Sequence, residues 1–346
     1  MRIVSHPYPI REIARQAGVS EATVDRVLNQ RPGVRASTTA NVQQAILDLD
    51  RQRSQLRLNG RTFIVDVVMQ TPDRFSEAAK AALENELPAL RPASVRSRFT
   101  FRETAKPAEI VKVLKDIRHR KSMGVILKAP DVPEVSEEVG RLEAAGIPVV
   151  TFVTDIPLSR RIAYVGIDNR AAGATAAYLI DQWLCGGPGD VLIALSRSVF
   201  RGEEEREIGF RATMRQRSEG RALIETTDTD GIDASVRDLT ITTLRSNPGI
   251  NAVYSIGGGN RAIIEAFDAL GRPCRVFIGH DVDRDNLALL REHRVSAVLH
   301  HDLGNDMRRA CQIIMQAHGA IDGPILSIPS QIHVVTPFNV PVHHGG

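Results

Sequence analysis

The chain has 346 residues, 42% hydrophobic, 25% charged and only 4% aromatic, with a formal net charge of +3. That length allows two or three compact units with proper cores, and the composition excludes disordered, collagen-like and disulfide-stapled chains. No apolar run approaches the roughly 18 residues of a membrane span, and Met1–Ile10 lacks the apolar stretch of a secretory signal. Cys185, Cys274 and Cys311 are too few and too scattered for a disulfide framework or a zinc knuckle. A cytoplasmic protein is therefore expected.

The small net charge hides an asymmetry. Residues 1–60 hold nine arginines, no lysine and five acids, whereas the remainder carries 35 basic and 36 acidic side chains. A basic head on a near-neutral body points to a polyanionic partner for the head. A small, arginine-rich solvated domain is the plainer reading of charge alone.

Three helices are predicted in the head. Ile10, Ile13, Ala14 and Ala17 recur at helical spacing, which predicts a helix over Ile10–Gln16. Gly18 lets the chain leave that helix at positive φ. Ser20 is placed to cap a second helix over Glu21–Leu28, with Val24, Val27 and Leu28 inward. Pro32-Gly33 stops it, and Ser37–Leu49 carries a third helical pattern. Small Ala14, the Gly18 turn and the Val19 corner are what a helix-turn-helix unit requires, and they leave the outer face of helix two free for a major groove.

Residues 10–49 resemble the DNA-binding headpiece of the lactose-repressor (LacI/GalR) family, matching at Ile13-Ala14, Ala17-Gly18-Val19-Ser20, Thr23-Val24 and Arg26-Val27-Leu28-Asn29. The resemblance implies that Glu21, Ala22 and Arg26 read base edges, with Arg26 suited to guanine. It implies that Ser20, Thr23, Asn29 and Thr38 bond phosphates. Asp25 departs from the family's serine, putting a carboxylate near a phosphate unless a neighbouring arginine neutralises it. Arg35 stands where a serine usually caps helix three, leaving Ser37 as the expected cap.

Residues 50–61 form the expected linker. The family's Tyr, Pro and Asn are replaced by Arg51, Arg53 and Ser54. Either this stretch forms a hinge helix whose Leu56 or Leu58 wedges into the minor groove while Arg53 and Arg57 track phosphates, or it is a charged tether.

From Thr62 the pattern alternates. Strands are predicted over Phe63–Met69, Val95–Phe101, Gly124–Leu127, Val149–Phe152, Tyr164–Ile167, Asp190–Leu195, Ala222–Thr227, Ala252–Ile256, Val276–Ile278 and Ala297–His300, with amphipathic helices between them. Such alternation builds parallel sheets flanked by helices, and ten units exceed one comfortable sheet. The fold class is therefore α/β, a three-helix helix-turn-helix headpiece followed by two Rossmann-like lobes.

This body resembles the periplasmic-binding-protein core of the same family through Tyr164–Gly173, Arg206–Phe210 and Phe277–Asp281. The resemblance places crossovers between lobes near Gly166, His301 and Ile328. It divides the chain into a headpiece (1–49), a linker (50–61) and a core (62–346), with an N-lobe of 62–165 and 303–328 and a C-lobe of 166–302 and 329–346.

Ligands of open α/β sheets sit beyond the carboxyl ends of the strands. Thr154, Asp155, Asp168, Asn169, Ser196, Arg197, Asn260 and Asp281 fall there, and Asp302 follows the strand ending at His300. Carboxylates with a guanidinium fork suit vicinal hydroxyls. The resemblance makes Arg206 and Asp281 the positions that grip a sugar-like effector. The alternatives are a surface Arg206 within a solvated charge run and an Asp281 that caps the following helix. Asp168 and Asn169 read as turn formers and crossover pins, and Phe75, Phe152 and Phe200 as stackers or core.

Gly257-Gly258-Gly259 lacks the order of a P-loop or a dinucleotide fingerprint, and no histidine pair has metal-ligand spacing. No cofactor, no metal and no enzymatic reaction are expected. The expected function is that of a homodimeric transcription regulator, most often a repressor in this family, that binds double-stranded operator DNA under control of a small carbohydrate-like effector, with no membrane association. A sugar-binding transport receptor built from the same lobes is the alternative, and it leaves the headpiece unused.

Overall fold

A computed structural model of the chain describes residues 7–196, 200–217, 220–226 and 233–341. It begins with α1 (Ile10–Ala17), α2 (Glu21–Leu28) and α3 (Ala36–Leu58). Gly18 ends α1 in the left-handed conformation at φ 65°, and the Ser20 side chain accepts a hydrogen bond from the Thr23 N–H. Ile13, Ala14, Val24, Val42 and Leu49 close a small core with Tyr8. The cap of α3 differs from expectation. Arg35 occupies that position without a side-chain hydrogen bond, and Ser37 lies inside the first turn.

The larger correction concerns residues 50–61. No separate linker or hinge helix forms there, because α3 runs unbroken to Leu58. Arginine, glutamine and leucine in the run 51–58 are good helix formers, and neither Pro nor Gly interrupts them until Gly60. Asp50 and Arg53 belong to the headpiece: Asp50 accepts from the Tyr8 hydroxyl at 2.6 Å, and the Arg53 guanidinium sits 5.9 Å from the Tyr8 ring centre. At the other end Leu58 is buried in the core of the following lobe, and Arg57 pairs with Asp322 at 2.6 Å.

The N-lobe contains β1 (Thr62–Gln70), α4 (Asp73–Glu86), β2 (Ser94–Arg102), α5 (Pro107–Arg118), β3 (Gly124–Lys128), α6 (Pro133–Ala144), β4 (Val149–Phe152) and β5 (Ala163–Val165). Its five strands are parallel, in the order β2-β1-β3-β4-β5. Phe63, Val65, Val67 and Met69 face a core shared with α4, while Val68, Val125 and Leu127 face α5 and α6. Burial on both faces is why these strands read as continuous apolar runs.

The C-lobe contains α7 (Asn169–Leu184), β6 (Asp190–Ala194), α8 (Arg201–Arg217), β7 (Leu223–Thr226), α9 (Asp233–Ser246), β8 (Ile250–Ser255), α10 (Asn260–Ala269), β9 (Val276–His280), α11 (Arg284–Arg291) and β10 (Ala297–His300). The chain then returns to the N-lobe through α12 (Leu303–Ala317), whose Met307, Ala310, Cys311 and Ile314 complete that core. It re-enters the C-lobe sheet as β11 (His333–Val335), antiparallel to β10, so that the order is β11-β10-β9-β8-β6-β7. Three residues with one buried side chain are too short for a periodic signal, and β11 was not expected. The predicted strand end at Thr227 lies outside the described residues.

Two glycines of the sequence signatures have a packing reason. A Cβ on Gly173 of α7 would lie 1.9 Å from the Arg206 carbonyl, and one on Gly209 of α8 would lie 2.1 Å from the Arg170 carbonyl. Only hydrogen at both positions lets the two helices cross this closely, which brings Arg206 in beside Asn169.

Candidate ligand cleft and nucleic-acid interface

The carboxyl ends of β1, β3, β4, β8 and β9 and the start of α8 surround a cleft of about 830 Å³, solvent-filled mouth included, between the two lobes. Its wall strains the backbone at two strand ends. Val153 (φ 66°) and Asp281 (φ 65°) both adopt positive φ, which is uncommon for a non-glycine residue and costs energy for a β-branched one. At Val153 the strain is held by its own carbonyl, which accepts from the Tyr164 hydroxyl at 3.1 Å and the Asn169 amide at 3.3 Å.

Arg206 is 5% exposed and lines the cleft. Its Nε donates to Asn169 Oδ1 at 2.8 Å, which orients the guanidinium and leaves its two terminal nitrogens without a partner among the described residues. Asn169 therefore fixes Arg206 as well as pinning the crossover, and Asp168 caps α7 by accepting from the Ala171 N–H. Arg206 is not part of a solvated run. Neighbouring Glu203 is held by Ser196, whose hydroxyl lies 2.7 Å from both carboxylate oxygens and whose N–H donates at 3.1 Å, and burial pushes its carboxyl up.

Across the cleft stands Lys128, at the end of β3. Its ammonium donates to the Gln70 carbonyl at 3.1 Å and lies 4.6 Å from the Phe200 ring centre and 5.9 Å from that of Phe75. Burial lowers it to about 8, against the pull of Glu203 and Asp281, with Arg206 pushing the same way as burial. Arg74 of α4 reaches over the mouth to Asp283, at 3.1 Å, joining the two lobes by an ion pair. Asp283 also caps α11 through the Asn286 N–H, and burial raises it to about 6. Asp281 is therefore not the cap of that helix.

Three buried polar atoms of the C-lobe residues lining the cleft have no hydrogen-bond partner among the described residues: Asn260 Oδ1, Asp281 Oδ1 and His280 Nδ1. The Asn260 amide donates to Asn286, so its oxygen is the free end. His280 Nε2 lies 2.9 Å from the Tyr254 hydroxyl, and burial, then Arg206 and His301, lower this ring well below the usual histidine range. Asp281 Oδ1 is 3.8 Å from His301 Nε2, while His301 Nδ1 lies 2.5 Å from Asp306 on α12. Asp306 in turn accepts from the Ser330 hydroxyl at 2.5 Å, and the Ser330 N–H donates to the Gly166 carbonyl at 2.8 Å. The three crossovers are thus tied into one network that ends at a residue lining the cleft.

In the headpiece Glu21, Ala22 and Arg26 are exposed on α2. The Asp25 carboxylate is neutralised by Arg31 at 2.9 Å and accepts a hydrogen bond from the Asn29 amide at 2.8 Å. Ser20 and Thr23 share a hydrogen bond at 2.8 Å at the start of α2.

Two family profiles match this chain: the periplasmic binding protein domain over residues 64–320, and the bacterial regulatory proteins of the lacI family over residues 9–52. The chain belongs to the periplasmic binding protein domain family over most of its length and carries a lacI-family domain at its head. A curated relative, the HTH-type transcriptional regulator MalR of Streptomyces coelicolor, is 33% identical over 183 residues, 48% of each chain, so the chain spans about half the length of the relative it matches. Among solved structures, GanP, a glucose-galactose binding protein from Geobacillus stearothermophilus, superposes with a TM-score of 0.73 at 20% identity, covering 82% of this chain and 100% of that one. A solute-binding protein from Burkholderia graminis in complex with D-arabinose gives 0.70 at 22%, covering 83% and 98%. These two likenesses show the fold. Among the described residues no helix is long and apolar enough to cross a membrane.

Of the residues picked from sequence, Thr154, Arg206, Asn260 and Asp281 line the cleft. Thr154 lies there because its hydroxyl accepts from the Gly202 N–H at 2.9 Å. Ser196, Asp168 and Asn169 act from behind it through Glu203, α7 and Arg206, and Asp155 and Asp302 do not line it either. Asp155 is bound to Arg161 and accepts from the Thr151 hydroxyl at 2.6 Å, fixing the β4–β5 loop, and Asp302 caps α12 through the Asn305 N–H at 2.9 Å. Phe75 and Phe200 line the cleft, whereas Phe152 is core. Arg197 lies outside the described residues. In α3, Leu58 is excluded as a wedge by its burial, Leu56 is 76% exposed, and Arg57 is engaged by Asp322. Sequence reasoning missed Lys128, Glu203, His280, Arg74 and Asp283. The strand-end rule applied to Gly124–Leu127 points straight at Lys128.

Proposed function

We propose that this chain is a ligand-responsive transcription regulator rather than an enzyme, binding operator DNA as a homodimer in the cytoplasm and acting as a repressor. Base reading falls to Glu21, Ala22 and Arg26, and backbone positioning to Ser20, Thr23, Asn29 and Thr38, with Arg53 and Leu56 on the exposed side of α3. A polyhydroxylated effector binds Thr154, Arg206, Asn260 and Asp281. One observation carries the reading: among the described residues, the cleft is lined by buried acceptors without a partner on Asn260 and Asp281 and by a guanidinium with both NH2 groups open. Hydroxyl groups, which donate and accept, satisfy both kinds. The sugar-binding neighbours GanP and the D-arabinose complex support that choice, and the MalR likeness supports regulation.

Two headpieces related by a two-fold axis would meet the half-sites of a pseudo-palindrome. Effector binding would favour one arrangement of the lobes and so one spacing of the headpieces. The linkage is reciprocal, with a typical coupling of about 1–3 kcal/mol. The test is selection of genomic DNA fragments by the full chain against a chain lacking residues 1–61, each with and without a panel of sugars, polyols, sugar acids and purines. Fragment preference by the full chain alone, altered by at least one small molecule, is expected. Equal retention by both chains overturns the proposal.

A further inference from the structure

The hydrogen-bonding capacity left open in the cleft is not evenly divided between its acids and its bases. Three of the carboxylates that line it, Glu203, Asp281 and Asp283, differ sharply in what they have left to offer. Glu203 is taken up by the Ser196 hydroxyl and N–H, and Asp283 by Arg74 and the Asn286 N–H. Among the described residues, Asp281 alone of these three keeps a buried oxygen without a hydrogen bond, and the fourth lining carboxylate, Asp285, lies 3.7 Å from Arg284. The bases are the reverse. Among the described residues, Arg206 spends Nε alone, on Asn169, and Lys128 spends one of its three N–H bonds, on the Gln70 carbonyl. These two cations stand on opposite lobes, Lys128 from β3 and Arg206 from α8, and both line the same cleft. Glu203 and Asp281 face the Lys128 ammonium without hydrogen-bonding it, so a neutral sugar would meet its two open N–H bonds with uncharged acceptors alone, in a site walled by the Phe75 and Phe200 rings where a charge-assisted bond is the stronger one.

From this we infer that the effector is a polyhydroxylated carboxylate, a sugar acid, whose carboxylate bridges Lys128 and Arg206 while its hydroxyls donate to Asp281 and Asn260. The inference rests on the polyhydroxylated-effector reading above and narrows it. A bridging carboxylate also explains how a small molecule draws the lobes together, since one charge-assisted contact comes from each. A phosphate dianion would bring two charges to a site where Glu203 and Asp281 already stand; a carboxylate brings one.

The test measures melting shifts and binding isotherms of the full chain with D-gluconate, D-glucuronate and D-galacturonate. D-glucose, D-galactose, sorbitol and glucose 6-phosphate form the comparison. At least one acid is expected to bind ten times or more tighter than its neutral counterpart, the scale of one charge-assisted hydrogen bond. In Lys128→Met, folded by its circular dichroism, that acid-to-neutral ratio is expected to fall about tenfold, and Lys128→Arg to restore most of it. Neutral sugars or the sugar phosphate binding as tightly as the acids would overturn the carboxylate assignment while leaving the polyhydroxylated reading intact. A Lys128→Met ratio equal to that of the unaltered chain would overturn the role of Lys128. No binding by any member of the panel would overturn both readings.

Discussion

His301, at the end of the C-lobe strand β10, is held at 2.5 Å by Asp306, on the N-lobe helix α12, and turns its other ring nitrogen towards Asp281 at 3.8 Å. Both members of the short pair are buried, and Asp306 also accepts from Ser330. Asp306→Ala removes the acceptor of the buried His301 ring and of the half-buried Ser330 hydroxyl, and an unsatisfied buried group costs about 1–3 kcal/mol. A lowered urea midpoint at unchanged m value is the expected result. Asp306→Asn, which keeps one acceptor, should lose less.

The crossing of α7 and α8 gives a prediction of opposite signs. Gly209→Ala forces a methyl against the Arg170 carbonyl and is expected to destabilise by about 1–3 kcal/mol. Gly140→Ala, inside α6 with its nearest neighbour at 3.7 Å, should instead stabilise by about 0.5–1 kcal/mol. Thermal melts of the two variants, compared with the unaltered chain, check both.

Lys128 gives two pH dependences that run against each other. Its folded value of about 8 lies below the ordinary 10.5, so the unfolded chain binds more protons between those values. Its contribution to stability therefore rises as pH rises from about 8 to 10.5. Affinity for a sugar acid, which needs the ammonium, falls over the same window. Glu203, Asp281 and Arg206 face this group. Lys128→Met should flatten both profiles, read by denaturant titration and by binding isotherms at pH 7, 8, 9 and 10.

Arg74 and Asp283 close the mouth of the cleft. Asp283 is raised to about 6, above its ordinary 3.8, so the folded chain takes up a proton between these values and the interlobe pair carries its full charge only above about pH 6. Arg74→Gln is expected to speed effector release several-fold at pH 7, with a smaller effect at pH 5, measured by stopped-flow displacement.

Arg26 lies exposed on α2, opposite the buried Val24. Arg26→Ala is expected to relax preference at one operator position by about 1–3 kcal/mol, whereas Arg53→Ala should weaken binding evenly across sequences and lower the salt slope by about one. Competition assays over single-base operator variants at two salt concentrations separate these outcomes.

The headpiece and the alternating body were legible because their signals are local: a capped helix ending in Gly18, and apolar runs long enough to be buried on both faces. Arg206 and Asp281 were legible through motifs attached to strand and helix ends. Asp155 and Asp302 sit at equally good strand ends, yet tertiary partners, Arg161 in one case and the N-terminus of α12 in the other, claim them. Glu203 read as part of a solvated run because nothing in its neighbourhood announces that Ser196 and the packing of α8 on α7 bury it. The length of α3 was misjudged for a different reason. Its C-terminal run lacks the residues of a hinge, and the absence of a helix breaker before Gly60 is the stronger physical signal.

That unbroken helix has a mechanical consequence. An α-helix rises 1.5 Å per residue, so the 23 residues of α3 span about 35 Å from the turn at Asn59–Gly60 to its start at Ala36 in the headpiece. A stiff arm of that length converts a tilt of about 10° at its root into a sweep of about 6 Å at its tip, nearly two base-pair steps along a duplex. Small rotations where Leu58 is seated would thus be magnified before they reach the grooves, with no need for the segment to melt and refold.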